Sequence, residues 1–282
     1  MRKVVDSNYL QCPELRQYLE RSSENIAVLT DYASMEAYKG DTLTSIYKSM
    51  AILSEFPHQT EILKNTSVAC GLSGRRTGLQ RRLVDHPQTK GFGQYCQQLA
   101  EAKAGDPRYE RQLLEMGRDA TKQLNRMLSD AQAFSGAIDD IAKTYTAEEL
   151  RIVRSGIPYS RTFGQKLITH VFHLAATLFV RHPMVQRWPV ARELPNTLIF
   201  RISLCAYLLA LEWISVGGVA ATKPTRIRND MVDVNFAAYA TYFDGLLSKD
   251  QKVQRIHRDA RFILENIFDC SISTVRKLKC DA

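Results

Sequence analysis

The sequence predicts an α/β protein: a central, mainly parallel sheet wrapped by helices, interrupted by a large helical insertion. Three observations carry that expectation. Two short apolar stretches near the start, Lys3–Leu10 and Asn25–Leu29, each run straight into a polar segment bearing an acid, the alternation that βα units produce. A third apolar stretch, Leu246-Leu247-Ser248, comes after Gly245 and ends at Asp250. Between them, residues 65–160 are rich in Gln, Arg and Lys and show helical periodicity with few strand candidates. These signals divide the chain into a core made of 1–60 and 190–270 and a helical insertion or subdomain over 65–185.

In chain order, Lys3-Val4-Val5 reads as a strand that delivers Asp6 to its carboxyl end, where ligands bind in parallel sheets. The bland reading is that Asp6 caps the next turn, since Asp is a good N-cap. Pro13–Ser22 suits a helix with Pro in its first turn. After the second strand, Asp31 reads as a cap and Glu36 falls about one and a half turns into the helix. Leu43, Ile46, Met50 and Leu53 give residues 41–56 an apolar face, which Pro57 ends. Gly71–Gly78 is a loop, and Arg75, Arg76, Arg81 and Arg82 cluster around it as candidate phosphate contacts or as a solvated face.

Tyr109–Tyr145 reads as one or two long helices, with Leu113, Leu114, Leu124, Leu128 and Ile138 among the apolar positions. Thr146-Ala-Glu-Glu149 matches a capping box. The 163–180 helix carries His170 and His173 three apart; no third ligand has metal spacing, so a packed histidine pair is expected. The most apolar run, Ile202–Val219, contains Glu212 and, near its end, Gly217-Gly218, which favours a buried core helix over a membrane span. Residues 223–228, with Arg226 and Arg228, read as a basic entry loop to a helix opening at Asn229. Asp230 and Asp233, three apart, then share one face of its first turn, and Phe236, Ala237, Ala240 and Phe243 supply its buried stripe. Asp244 reads as a turn residue, and 254–268 as a last helix.

Composition narrows the function. At 45% hydrophobic and 24% charged residues the chain is ordinary globular material. A net charge of +8 and a pI near 9.2 favour anionic partners, nucleic acid first. Six cysteines without a CxxC pair or a His at metal spacing argue against a zinc site and a disulfide scaffold. The opening Met-Arg-Lys-Val-Val-Asp has no apolar signal region, so a cytoplasmic location is expected.

Hard divalent cations take oxygen ligands, and carboxylates around one ion must come from several elements whose ends meet. Asp6, Glu36, Asp230, Asp233 and Asp250 are distributed in that way. These residues resemble the PIN-like (PilT N-terminus) nucleases. Val4-Val5-Asp6-Ser7-Asn8 is similar to that family's opening strand and first acid, and Glu36 matches its second acid in position. Asp233–Ala240 resembles the helix bearing the third acid, and Leu247-Ser248-Lys249-Asp250 the strand end carrying the last. The resemblance covers about 1–60 and 190–265, and the long gap between second and third acids departs from a minimal domain of this kind.

The resemblance implies a three-layer α/β core and a metal-dependent endonuclease, first an endoribonuclease on single-stranded RNA. Mg²⁺ or Mn²⁺ would be held by Asp6, Glu36, Asp233 and Asp250, with Asp230 a ligand or its neighbour. Asn8 and Ser248 would orient ligands or water. Arg75, Arg76, Arg81, Arg82, Arg226 and Arg228 would hold the phosphate backbone. A non-catalytic nucleic-acid-binding or scaffold protein on the same core is a second reading, and DNA cleavage a third. The insertion could equally seat a second copy or a regulatory protein.

Overall fold

Strand β1 (Arg2–Val5) lies inside the sheet and gains one neighbour from early in the chain and one from near its end. After β1 the chain passes through α1 (Pro13–Glu20), β2 (Ile26–Leu29), α2 (Asp31–Ala37), α3 (Thr42–Glu55) and β3 (Thr60–Ile62). Then come α4 (Thr66–Cys70), α5 (Leu79–Leu83), α6 (His86–Lys103), α7 (Pro107–Lys143), α8 (Ala147–Ser155) and α9 (Arg161–Arg181). The final elements are α10 (Leu198–Ser215), α11 (Pro224–Ala240), β4 (Gly245–Leu247) and α12 (Gln251–Asn266). This computed structural model describes residues 1–155, 160–216 and 223–270. Gly217-Gly218, the segment after Cys270 and the Leu128 side chain lie outside the described residues.

The protein is α/β, with four strands, all parallel, in the order β3-β2-β1-β4. β2 and β3 are added on one side of β1 and β4 on the other. The order therefore reverses between β1 and β4, the kind of switch point at whose carboxyl ends parallel sheets commonly bind ligands. The β1–β4 ladder runs one step past both strands, where the Asp6 amide donates to the Leu247 carbonyl at 2.9 Å. That bond levels Asp6 with Ser248.

The strands are short and buried on both faces, as parallel strands are; Val4, Val5, Ala27, Val28 and Leu29 are at most 1% exposed. β3 was not expected. Thr60-Glu61-Ile62 is too short and too polar to signal a strand by itself, and only pairing with Ala27–Leu29 at the sheet edge orders it. Gly245, at φ +151°, lets the chain leave α11 and enter β4 without a side chain.

Helix ends obey local chemistry. Thr146 and Glu149 exchange bonds across the start of α8, with Thr146 N to Glu149 Oε2 at 2.8 Å and Glu149 N to Thr146 Oγ1 at 3.2 Å. Thr30, not Asp31, caps α2, its hydroxyl accepting from the Ala33 amide. Asp31 instead clasps Thr66, accepting from its amide at 2.7 Å and its hydroxyl at 2.8 Å. α11 starts at Pro224, five residues earlier than the sequence suggested, because Pro fits a first helical turn and the basic segment continues the helix. Asp230 and Asp233 therefore sit in the second and third turns.

The apolar core runs without a break from the strands into the helices of 65–185. Leu113, Leu124 and Ile138 of α7 join it, whereas Leu114, beside Leu113, points outward. α7 packs against α11, α3 and α2, and α9 against α10. α10 is, among the described residues, the one helix long and apolar enough to cross a membrane, yet 78% of it is buried inside the protein. His170, expected to be a packed histidine, bonds the buried Tyr207 hydroxyl at 2.5 Å through Nδ1.

A candidate carboxylate site at the strand ends

Asp6 leaves β1 at the switch point and is 1% exposed. It begins the Ser7–Tyr9 turn, where its Oδ1 accepts from the Asn8 amide at 3.4 Å. From the neighbouring strand the Ser248 hydroxyl donates to its Oδ2 at 2.5 Å. Burial raises the Asp6 carboxyl above its ordinary value; the donors from Ser248 and Asn8 oppose this, and the Glu36 charge adds to it. The capping reading of Asp6 holds, and its second carboxylate oxygen is taken by Ser248.

Glu36 arrives from α2, and the Ser7 hydroxyl donates to its Oε2. Lys39 lies 3.8 Å from its other oxygen. Asp250 comes after β4 and opens α12, accepting from the amides of Lys252 at 2.7 Å and Val253 at 3.2 Å. Its own amide donates to Ser248 Oγ at 3.0 Å. Ser248 thus links the two strand-end acids, giving to one and receiving from the backbone of the other. Asn8 works differently from expectation. Its side chain accepts from the Lys249 amide at 3.3 Å, pinning the β4–α12 turn to the Ser7–Tyr9 turn and touching no carboxylate.

α11 supplies the remaining pair, and the two are not alike. Asp230, 5% exposed, forms an ion pair with Lys252 of α12, and its Oδ2 is buried without a partner. Asp233 has its carboxyl pushed up to about 8. Burial is the main cause, with the charges of Asp6, Asp250, Asp230 and Glu36 adding to it in that order. All five predicted acids therefore share one electrostatic neighbourhood, with Asp233 at its centre. Like charges so placed cannot all ionise without compensation.

They are not, however, gathered onto a single point. Among the described residues no three His, Cys, Asp or Glu side chains are placed to hold one ion. The partners of the acids explain this: Ser248, Ser7, the α12 amides and Lys252 each engage an oxygen of Asp6, Glu36, Asp250 or Asp230. Lys252 and Ser7 are the contributors that motif spacing did not single out as partners. Each touches an acid distant in sequence, so only a hydroxyl beside Asp6 and a Lys beside Asp250 could have hinted at them.

The arginines divide. Arg226 is exposed and lies four and seven residues before Asp230 and Asp233, on the same face of α11 and nearer its open end. Arg228 is 9% exposed and bonds its neighbour Asn229 at 3.0 Å within α11. Three of the four around 71–78, namely Arg75, Arg76 and Arg82, lie elsewhere. Gln80, at the start of α5, accepts from Arg2 at 3.1 Å and donates to the Tyr242 carbonyl, both at the amino-terminal edge of the sheet. Arg76 bonds the Asp269 carbonyl at 2.6 Å beyond the far end of α12, and Arg82 holds the carbonyls of Ser73 and Arg75. Arg76 and Arg82 are thus engaged at the end of the sheet opposite the acids, and Arg75 sits with them, close enough to bear on the Arg82 charge. Arg76 and Arg82, two of the four around this loop expected to hold a phosphate backbone, have their side chains engaged by the protein itself.

No family model matches the chain, and no curated protein or solved structure matches it either.

Proposed function

We propose that this chain is a metal-dependent endonuclease on a PIN-like core, acting first on single-stranded RNA, with its site at the β1–β4 switch point. The observation that carries the reading is Asp233: a half-buried acid on α11 that feels the charges of Asp6, Asp250, Asp230 and Glu36, which come from three other places in the chain and one on its own helix. Carboxylates brought to the carboxyl ends of parallel strands suit a hard divalent cation and a phosphate. The orphaned Oδ2 of Asp230 and the raised Asp233 carboxyl both favour an added positive charge there.

Asp6, Glu36, Asp233 and Asp250 would hold Mg²⁺ or Mn²⁺, and Asp230, already matched by Lys252, would stand beside them. A cation bound there supplies charge neutralisation at a phosphodiester and a more acidic water. The chain's own residues do the positioning. Ser248 fixes Asp6 and the Asp250 backbone together, Ser7 fixes Glu36, and Asn8 locks the turn that carries Lys249. Arg226, exposed on the acid-bearing face, is the arginine best placed to meet a phosphate approaching the strand ends.

The test is cleavage of labelled RNA and single-stranded DNA with Mg²⁺ or Mn²⁺. Asp6→Asn keeps an oxygen for the Ser248 hydroxyl, and Asp250→Asn keeps a good N-cap, so each removes charge with little loss of structure. Either variant cutting as fast as the unaltered chain would sink the assignment; preference for the DNA strand would make this a deoxyribonuclease. One observation favours a second reading, a non-catalytic nucleic-acid-binding or scaffold protein: among the described residues no three acids are placed to share an ion. Calorimetry with Mn²⁺ separates the two, since that reading requires no binding.

A further inference from the structure

A cavity lies away from the acids, between the loop after α4 and the segment joining α9 to α10. It has a volume of about 570 Å³, in the range of small-molecule sites. Two glycines show that its walls are built. A Cβ on Gly71 would stand 2.7 Å from the Met184 carbonyl, and one on Gly74 would fall on the Glu193 carbonyl. The two segments therefore touch backbone to backbone at both points, and the cavity is the space left between these clamps. The Thr197 wall lies next to Asn196, whose carbonyl accepts from Tyr242, placing this end near the amino-terminal edge of the sheet.

Its lining is of two kinds. Phe179, buried, packs against Trp188 with ring centroids 5.2 Å apart, holding an indole that is itself 51% exposed. Val68 and Cys70 complete an apolar floor. Arg187 and Arg192 also line the cavity; both are exposed, and among the described residues neither has an ion-pair or hydrogen-bond partner. Glu193 on the same wall lies within electrostatic reach of Arg82. A supported aromatic face beside two uncommitted guanidinium groups matches a flat, uncharged ring attached to an anion.

We propose that this cavity is a nucleotide site, taking a base against Trp188 and its phosphate on Arg187 and Arg192. Base–aromatic stacking tolerates any base, and arginine pairs a phosphate through two parallel N–H donors. The same chemistry is offered by a free nucleotide and by one unpaired residue of a strand. Binding at Trp188 needs no divalent ion, so it stands or falls separately from cleavage at the acids.

The chain has two tryptophans, Trp188 and the buried Trp213, so Trp213→Phe leaves Trp188 as sole reporter. The full-length variant is titrated in EDTA with adenosine 5′-monophosphate, adenosine, inorganic phosphate and a short oligoadenylate RNA. Expected are saturable quenching by the monophosphate, much weaker binding of adenosine or phosphate alone, and a loss of affinity of about tenfold or more in Arg187→Ala/Arg192→Ala. Calorimetry should find binding kept in Trp188→Phe and lost in Trp188→Ala. Oligoadenylate binding more tightly than the monophosphate assigns the site to a strand, and equal or weaker binding assigns it to a free nucleotide. The proposal is overturned if neither probe quenches, if quenching survives the double arginine variant, or if polyglutamate quenches as well as the monophosphate.

Discussion

At the carboxyl-terminal edge of the sheet lie five acids; Lys252 pairs with Asp230, Lys39 lies near Glu36 and Arg255 bears on Asp250, while burial first and the neighbouring acids second push the Asp233 carboxyl up to about 8. At the amino-terminal edge two buried or half-buried arginines are engaged in holding the chain. Arg2 pairs with Glu61 and lies 4.9 Å over the Phe243 ring. Arg201, 3% exposed, sits 3.7 Å over Tyr242 and donates to the Pro195 carbonyl, Thr241 and Asn196. Acids at one end bear on one another, and at the other the two arginines are consumed in holding the chain. That contrast is why the acids read as a site and most of the arginines read as structure.

The contrast can be broken, and the first way is by activity. Asp6→Asn or Asp250→Asn should lower cleavage by more than about 100-fold, since removing a partner of a ligand already costs ~10–100-fold. Initial rates on labelled RNA at saturating Mn²⁺ check this. Arg201→Leu probes the other end: it should leave the Pro195 carbonyl and the Thr241 hydroxyl without their donor and cost about 3 kcal/mol in urea unfolding. Cleavage per folded molecule should be unchanged. Ser248→Ala comes next, at roughly 10–100-fold in rate with little change in stability, because it frees Asp6 without removing charge.

Titration sharpens the same comparison. A carboxyl whose folded value is raised keeps its proton longer than in the unfolded chain, so it favours folding at low pH and that advantage drains away as pH rises. For Asp233 the window is about pH 4 to 8. His257, buried in α12 and pushed down to about 4 by burial and by Arg261, acts with the opposite sign: its contribution is lost as pH falls from 6.5 toward 4. Above pH 6.5 only Asp233 of the two contributes. In EDTA, stability should therefore fall from pH 6.5 to 8 at no more than ~1.4 kcal/mol per unit, and Asp233→Asn should flatten it. Urea midpoints across that range decide the matter. The smallest effect belongs to Arg81→Ala, within about 0.5 kcal/mol in stability and less than about threefold in cleavage.

Parts of the site were legible because their signals are local. A strand ending at Asp6, a strand ending at Asp250 and two acids one turn apart on a helix are each written within a few residues. The thirty-odd residues that place Glu36 behind Asp6 obey the same βα logic, and so did the all-parallel sheet. What escaped was whatever needed a partner far along the chain. Lys252 finds Asp230 only because α12 packs on α11. Asp31 finds Thr66 only because α4 returns beside α2, which is why a cap was the natural reading of it. The partners of Arg76 and Arg82 were illegible for a related reason: the density of an arginine cluster says nothing about which distant carbonyls it will reach.

By itself the sequence determined the α/β class, the capping box at Thr146 and the buried helices, because periodicity, propensity and charge are properties of short windows. Only the tertiary structure decided that β4 returns beside β1, that Ser248 therefore meets Asp6, and that Asp230 pairs with Lys252 while burial and neighbouring acids raise the Asp233 carboxyl. Those outcomes depend on which distant segments pack together and on how deeply each carboxyl is buried. Electrostatic energy at such a site is set by separation and solvent exclusion, which no spacing along the chain encodes.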